Sequence, residues 1–111
     1  MNSPIIIQTR FMPVSRYVAI TIFGIVFTRD RSRLTPALIN HERIHCRQQL
    51  ELLYVPFFII YVMEWLYYIV KYRNWDRAYR SISFEREAYA NGHNFRYLDT
   101  RPSFASFRHY F

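Results

Sequence analysis

The chain contains little cysteine, glycine and lysine, and these shortages limit what the protein can be. Cys46 is the only cysteine among 111 residues, so no intrachain disulfide can form and nothing indicates an oxidising compartment. There are two glycines, no internal repeat and no low-complexity run. Hydrophobic residues make up 51% of the chain and aromatic residues 20%, which excludes intrinsic disorder. A chain of this length has room for one domain with a modest core.

The positive charge is carried almost entirely by arginine. Lys71 is the only lysine among fifteen basic residues, and the net charge is +7. Such a surface attracts phosphates, anionic lipid or acidic partners. Basic and aromatic residues alternate from Lys71 to Arg77, a pattern suited to an anionic membrane surface. Because no nucleic-acid-binding motif accompanies the charge, nucleic acid is not expected as a partner.

The N-terminal residues do not resemble a cleavable secretion signal. No basic residue precedes Ile5-Ile6-Ile7, and Arg10 follows after a short apolar run. We therefore expect the protein in the cytoplasm or peripherally on the cytoplasmic face of the membrane.

The order of segments predicts an α+β fold. Ile5–Thr9 and Tyr17–Phe27 are rich in β-branched and aromatic residues, with Pro13 and Ser15 between them. They predict a short antiparallel β-hairpin or a three-stranded sheet, followed by a bundle of about three helices. The whole chain is expected to form a single domain, with strands in residues 1–34, a helical metal-binding core in 35–95 and a tail in 96–111.

An HExxH motif begins at His41 and ends at His45. Thr35-Pro36 resembles an N-cap followed by proline at the first helical position, and residues 37–55 contain no Gly or Pro, so the motif is predicted to be helical. Residues four apart share a helix face, so both imidazoles can reach one divalent metal ion. Glu42 lies beside that ion, where it can take a proton from water as a general base. The motif therefore predicts a zinc site of the peptidase kind.

The sequence predicts a helix that begins at the N-cap Asn74 and runs toward Asn91. A catalytic zinc site needs a third protein ligand, and this helix offers two glutamates. Glu85 is the first choice because its helical neighbours form a mostly apolar face that can pack on the motif helix. Glu87 has more polar neighbours and remains the alternative. His93 is a weaker candidate.

The apolar segment Leu52–Val70 is long enough in principle to cross a bilayer. If it continued the motif helix without a bend, its end would lie about 40 Å beyond His45, and the chain could not bring Glu85 back to the metal. The zinc hypothesis therefore requires a sharp break, which Pro56 can supply. Glu64 favours a packed helix or one along a membrane surface, because an unpaired carboxylate in mid-bilayer is costly.

The stretch from His41 to Gln49, taken with Glu85-Arg86-Glu87-Ala88, resembles the gluzincin metallopeptidases. That group includes the prenyl-protein (CAAX) proteases, the membrane antibiotic-sensor peptidases and the minigluzincins, and the stretch is also similar to small HExxH proteins of bacteria. The resemblance covers residues 35 to 93 and implies a zincin-like helical bundle. It also implies a Zn²⁺-dependent hydrolase that cleaves peptides or proteins, with His41, His45 and Glu85 as zinc ligands and Glu42 as base.

The chain departs from this group at Tyr89, which stands where such families place an aspartate that orients a ligand histidine. Aligning on Glu87 instead puts Asn91 at that position, so both glutamates stay open as the third ligand. Tyr89, Tyr79 and His93 are candidates for stabilising the transition state.

Two other functions fit the same residues. The first is a non-catalytic protein that binds anionic membrane surfaces through its basic and aromatic residues. The second is an inactive zincin-like domain that uses zinc for stability.

Overall fold

The sheet is three-stranded, the second of the two arrangements that the strand pattern predicts. The computed structural model of the chain describes residues 5–10 and 19–110, so the predicted strand start at Tyr17 and the separating residues Pro13 and Ser15 lie outside the described residues. The strands are β1 (Ile5–Gln8), β2 (Ala19–Ile22) and β3 (Ile25–Thr28).

The strand order is β1-β3-β2, with β1 parallel to β3 and β2 antiparallel to β3. Phe23 and Gly24 connect β2 to β3, and both have positive φ angles, 52° and 78°. Positive φ at both central residues defines the tight hairpin turn whose twist matches the strands. The hairpin leaves β2 at the edge of the sheet, on the side where the helices pack.

The motif helix, α1 (Pro36–Glu51), begins where the sequence predicts. The hydroxyl of Thr35 accepts a hydrogen bond of 3.1 Å from the backbone N–H of Leu38, and Pro36 follows as the first helical residue. The helix ends in a break at Leu53 and Tyr54, whose φ angles are 59° and 68°. The predicted break therefore lies immediately before Pro56.

The helical part is divided into more pieces than the predicted three. The further helices are α2 (Val55–Tyr72), α3 (Trp75–Ser81), α4 (Ser83–Asn91) and α5 (Tyr97–Thr100), and the C-terminal segment closes with a π-helical turn, Ser106–Tyr110. The α+β class is confirmed. Within the described residues, α2 is the one helix long and apolar enough to cross a membrane, and its residues are mostly not buried.

The sequence predicts one helix from Asn74 toward Asn91, but the structure breaks it at Ile82. The side chain of Asn74 caps α3, as predicted, by accepting 2.9 Å from the N–H of Arg77. Ile82 is extended, with ψ of 132°, and its side chain is fully buried. Glu64 of α2 then accepts bonds from the backbone N–H and the hydroxyl of Ser83, at 2.9 and 2.8 Å. A carboxylate from another helix thus caps the start of α4, a tertiary contact that no local pattern contains.

Candidate metal centre

The two motif histidines and Glu42 form a buried cluster on α1. One potential ligand atom from each of His41, Glu42 and His45 lies within 4.8 Å of the others, and all three side chains are buried. The imidazole rings meet edge to face, with centroids 4.8 Å apart. This is the proximity that positions four apart on a helix impose. The cluster could therefore hold a metal ion.

Glu85 of α4 brings a carboxylate oxygen to the same point. Its Oε1 lies 3.2 Å from His41 Nε2 and 3.0 Å from His45 Nε2, and the two nitrogens are 3.1 Å apart. Ligand atoms on one tetrahedral zinc, each at about 2.0–2.1 Å from it, lie about 3.3 Å from each other. The three atoms fit that spacing, and three protein ligands are the number that a catalytic zinc site uses.

His45 and Glu85 stabilise the charged forms of each other. Burial lowers the pKa of His45, but the adjacent carboxylate of Glu85 outweighs it and raises that pKa to about 9. Burial likewise opposes charge on Glu85, but His45 and His41 hold the pKa of this carboxyl far below its usual range. At neutral pH the pair is therefore imidazolium and carboxylate, and a metal ion that binds here must displace the His45 proton.

Gln48, one helical turn after His45, orients the imidazole. Its Oε1 lies 2.8 Å from His45 Nδ1, and its Nε2 donates to the carbonyl of Phe84 and to Glu87 Oε1, both at 3.0 Å. Because both donated bonds use the amide nitrogen, the amide oxygen must face the ring and accept the Nδ1 proton. Nε2 of a neutral His45 is then the nitrogen that could bind a metal ion.

Two sets of contacts align α4 antiparallel to α1 and so place Glu85. At one end, Gln48 is bonded to Phe84. At the other, Nδ2 of the buried Asn40 donates to the carbonyls of Asn91, Gly92 and Asn94, at 3.2, 2.9 and 3.0 Å. A Cβ on Gly92 would be tight only against the Ala88 carbonyl oxygen of α4 itself, at 3.2 Å, and would lie at ordinary contact distances of 3.5 and 3.7 Å from Ala37 O and His41 Cβ of α1.

Glu42 is oriented by the sheet. Thr21 of β2 donates its hydroxyl to Glu42 Oε1 at 2.8 Å, and Glu42 Oε2 lies 3.8 Å from His41 Nε2. Gln49 holds the hairpin against α1, because its amide donates to the carbonyl of Thr21 and accepts from the N–H of Gly24, at 2.8 and 3.0 Å. Hydrogen bonds therefore join both Glu42 and Gln49 of α1 to the edge of the sheet.

Glu87, the alternative third ligand, lies in a different buried network. Its carboxylate is bonded to Arg101, to the hydroxyls of Ser106 and Tyr97, and to Gln48. Burial opposes its charge, but these bonds, that of Arg101 foremost, lower the pKa of Glu87 below its usual value. Through Gln48, the Glu87 carboxylate supports the histidine instead of meeting the metal site itself.

The remaining predicted site residues are unequally placed. Tyr89 packs its ring edge-on against His41, with centroids 4.6 Å apart, and Tyr79 lines the cavity beside the cluster. His93 is exposed in the loop after α4. Tyr61 of α2 donates to Glu85 Oε2 at 2.6 Å, a contact that sequence reasoning missed. The spacing of Gln48 from His45 was visible in the sequence, but the contact of Tyr61 depends on the angle at the α1–α2 break.

A cavity of about 210 Å³ opens beside the cluster, between β2, α1 and α2. The side chains of the cluster in its wall are His45, Glu42 and Glu85. Most of the remaining wall is apolar and includes Ile20, Phe57, Phe58, Val62 and Trp65. The cavity therefore suits an apolar side chain held next to the polar cluster.

No protein-family model, curated protein or solved structure matches the chain.

Proposed function

We propose that the protein is a zinc-dependent metallopeptidase, with His41, His45 and Glu85 as zinc ligands and Glu42 as general base. The observation that carries this proposal is the approach of the three ligand atoms to within 3.2 Å of one another beside the Glu42 carboxylate. Protein packing alone does not require two buried imidazole nitrogens and a carboxylate oxygen to converge in this way.

Zinc in such a site supplies an activated water near neutral pH and polarises a substrate carbonyl. Glu42 accepts the water proton through Oε2, because Thr21 already binds Oε1 and holds the carboxylate in place. Tyr79 lines the cavity beside Glu42 and Glu85, and burial, followed by the charge of Glu85, raises its pKa. Its hydroxyl is hydrogen-bonded to Tyr89, and it would exchange this bond for one to a developing oxyanion. Tyr89 is the second candidate for that role.

The substrate is an extended peptide with an apolar side chain. β2 is an edge strand whose residues Ala19, Ile20 and Thr21 line the cavity. Gln49 already binds the carbonyl of Thr21, so a peptide would pair with the remaining backbone groups along this edge. Phe57, Phe58 and Trp65 then surround one substrate side chain. Because only one substrate side chain enters the apolar cavity, we expect the enzyme to accept many different residues at the other substrate positions.

Zinc is favoured over iron by the position of Glu42. Two histidines and one carboxylate also hold Fe(II) in oxygenases, so the ligand set by itself admits both metals. An oxygenase has no need of a general base beside the metal, whereas hydrolysis does.

The test begins with metal analysis of the purified protein by mass spectrometry. We expect about one zinc per wild-type chain and loss of that zinc in His45→Ala and in Glu85→Gln. His93→Ala is the matched control, because His93 is exposed and outside the cluster, and it should retain the metal. Stoichiometric iron, or zinc that survives both cluster variants, would contradict the assignment.

Turnover is then measured on internally quenched peptides with one Phe or Leu at varied positions. Glu42→Gln should keep its zinc and lose cleavage by about a hundredfold or more, since general-base catalysis contributes about 10²–10⁴-fold. Zinc-loaded wild type that cleaves nothing would indicate the zinc-stabilised, inactive alternative. A fully active Glu42→Gln would refute the mechanism.

A further inference from the structure

The outward face of α2 is an uninterrupted apolar surface. Seven of its large hydrophobic side chains are between 45% and 77% exposed. At 100° per residue they fall within about 140° of the helix circumference. They are Val55, Ile59, Val62, Met63, Leu66, Tyr67 and Val70. The face contains no charged residue, because Glu64 points to the opposite side and binds Ser83. We call these seven side chains the α2 surface.

The apolar area extends beyond the first turn of α2. Leu50 and Leu53 are exposed at the α1–α2 break, and Phe23 is exposed in the hairpin turn. The Phe23 ring contacts the rings of Tyr54 and Phe58, both with centroids 5.6 Å apart, so the turn adjoins the start of α2. Large contiguous apolar areas of this kind mark interaction sites.

Basic and aromatic side chains border the other end of α2. Lys71 Nζ lies 5.9 and 5.3 Å from the ring centroids of Tyr67 and Tyr72, and Arg77 Cζ lies 3.9 Å from that of Tyr72. Arg73 and Trp75 follow, both exposed. Cations with apolar stems and amphipathic rings are the side chains enriched where a protein meets lipid headgroups.

We propose that the α2 surface binds an anionic phospholipid bilayer, with the helix lying along the interface. Charge complementarity selects this partner over a second copy of the chain, because two chains of net charge +7 repel one another, whereas anionic lipid attracts the basic end of α2. An apolar helix face beside basic residues is the composition of interfacial helices.

The opposite face of α2 excludes a transmembrane position. Phe57 is buried in the core, and Tyr61 is bonded to Glu85 in the metal centre. Lipid cannot surround a helix that is held on one side by these contacts. The geometry therefore places the helix on the bilayer and not through it.

Where the proposed peptidase function holds, this orientation also directs substrate entry. Val62 belongs to the α2 surface and also lines the cavity beside Glu42 and His45. The cavity therefore opens at the edge of the lipid-facing surface. Peptides at the bilayer surface would enter it more readily than peptides in solution.

The experiment is co-sedimentation of the full chain with vesicles of phosphatidylcholine containing phosphatidylserine, compared with phosphatidylcholine alone. We expect binding to the anionic vesicles, weakened by high salt and by about tenfold or more in Leu66→Glu, because the variant removes one leucine from the apolar contact and adds a charge that anionic lipid repels. Phe95→Glu is the matched control, since Phe95 is 54% exposed in the loop after α4, and it should bind like wild type. Circular dichroism verifies that both variants are folded.

Three results would overturn the proposal. They are equal binding to neutral vesicles, equal loss in Leu66→Glu and Phe95→Glu, and no binding by wild type. A wild-type dimer that Leu66→Glu converts to monomer, without vesicle binding, would assign the surface to a second copy. Glu42→Gln should bind vesicles like wild type, so failure of membrane binding and failure of the peptidase proposal are separate results.

Discussion

The interface between α1 and α4 is polar although it is buried, whereas the outward face of α2 is apolar although it is exposed. On α1, the buried residues are polar apart from Ile44, whereas on α2, the most apolar helix, only Phe57 is buried. The buried polar groups are tolerated because hydrogen bonds and ion pairs join them. Hydropathy alone would predict a buried α2 and an exposed polar face of α1, the reverse of what the structure has. Departures of this kind concentrate where a protein binds something.

Of the changes that test this comparison, loss of Arg101 from its buried network should have the largest effect on stability. Arg101 binds both Glu87 and Glu51, and its side chain is 1% exposed. Arg101→Met leaves the Glu87 carboxylate buried without its counter-ion, which should cost about 3–5 kcal/mol in the free energy of unfolding. Urea denaturation measures this cost, with exposed Arg108→Met as control. A loss similar to that of the control would show that the network contributes little.

Gln48→Leu should separate support of the metal site from stability in general. The variant removes the acceptor for His45 Nδ1–H and should weaken zinc binding about 10–100-fold, measured by chelator competition. Gln49 is the matched control, because it is equally buried but binds the hairpin. Gln49→Leu should reduce stability and leave zinc affinity near that of wild type. Equal zinc affinities in the two variants would show that Gln48 does not position His45 for zinc binding.

Lowering the pH should destabilise the polar interface between α1 and α4, because the Glu87 carboxylate becomes protonated. Its folded-state pKa is lowered from 4.5, so its contribution to stability is present above that value and is lost as pH falls below it toward the folded pKa. Glu87→Gln should therefore be less stable than wild type at pH 7, and the difference should shrink at pH 3. Unfolding in urea at both pH values, with EDTA present, measures it. A constant difference would mean that the Glu87 charge is not what the network stabilises.

The smallest effect is expected on the outward face of α2. Val70 is 77% exposed, so Val70→Gln should change the free energy of unfolding by less than about 0.5 kcal/mol. Phe57→Ala, on the buried side of the same helix, should cost about 3–5 kcal/mol. If Val70→Gln instead destabilises the protein like a core substitution, α2 packs against protein in solution, and the comparison between the two regions fails.

Local patterns predicted the beginnings of helices better than their interruptions. Thr35 and Asn74 both cap helices as predicted, because a cap is formed by residues within one turn of each other. The break before Pro56 was required by the distance from His45 to Glu85. The break at Ile82 was not predicted, since it depends on Glu64 capping Ser83 from another helix.

The sequence by itself determined that His41 and His45 share a helix face and that Glu42 lies next to His45, because residues three and four apart are neighbours wherever the helix lies. It also determined that α2 is apolar. Only the tertiary structure placed Glu85, and not Glu87, beside the two histidines. Two positions apart on α4, they point about 160° away from each other, and both are followed by alanine three residues later. The rotation of α4 about its axis turns Glu85 to the histidines and Glu87 to Arg101. That rotation is set by long-range bonds, from Gln48 to Phe84 and from Asn40 to the end of α4.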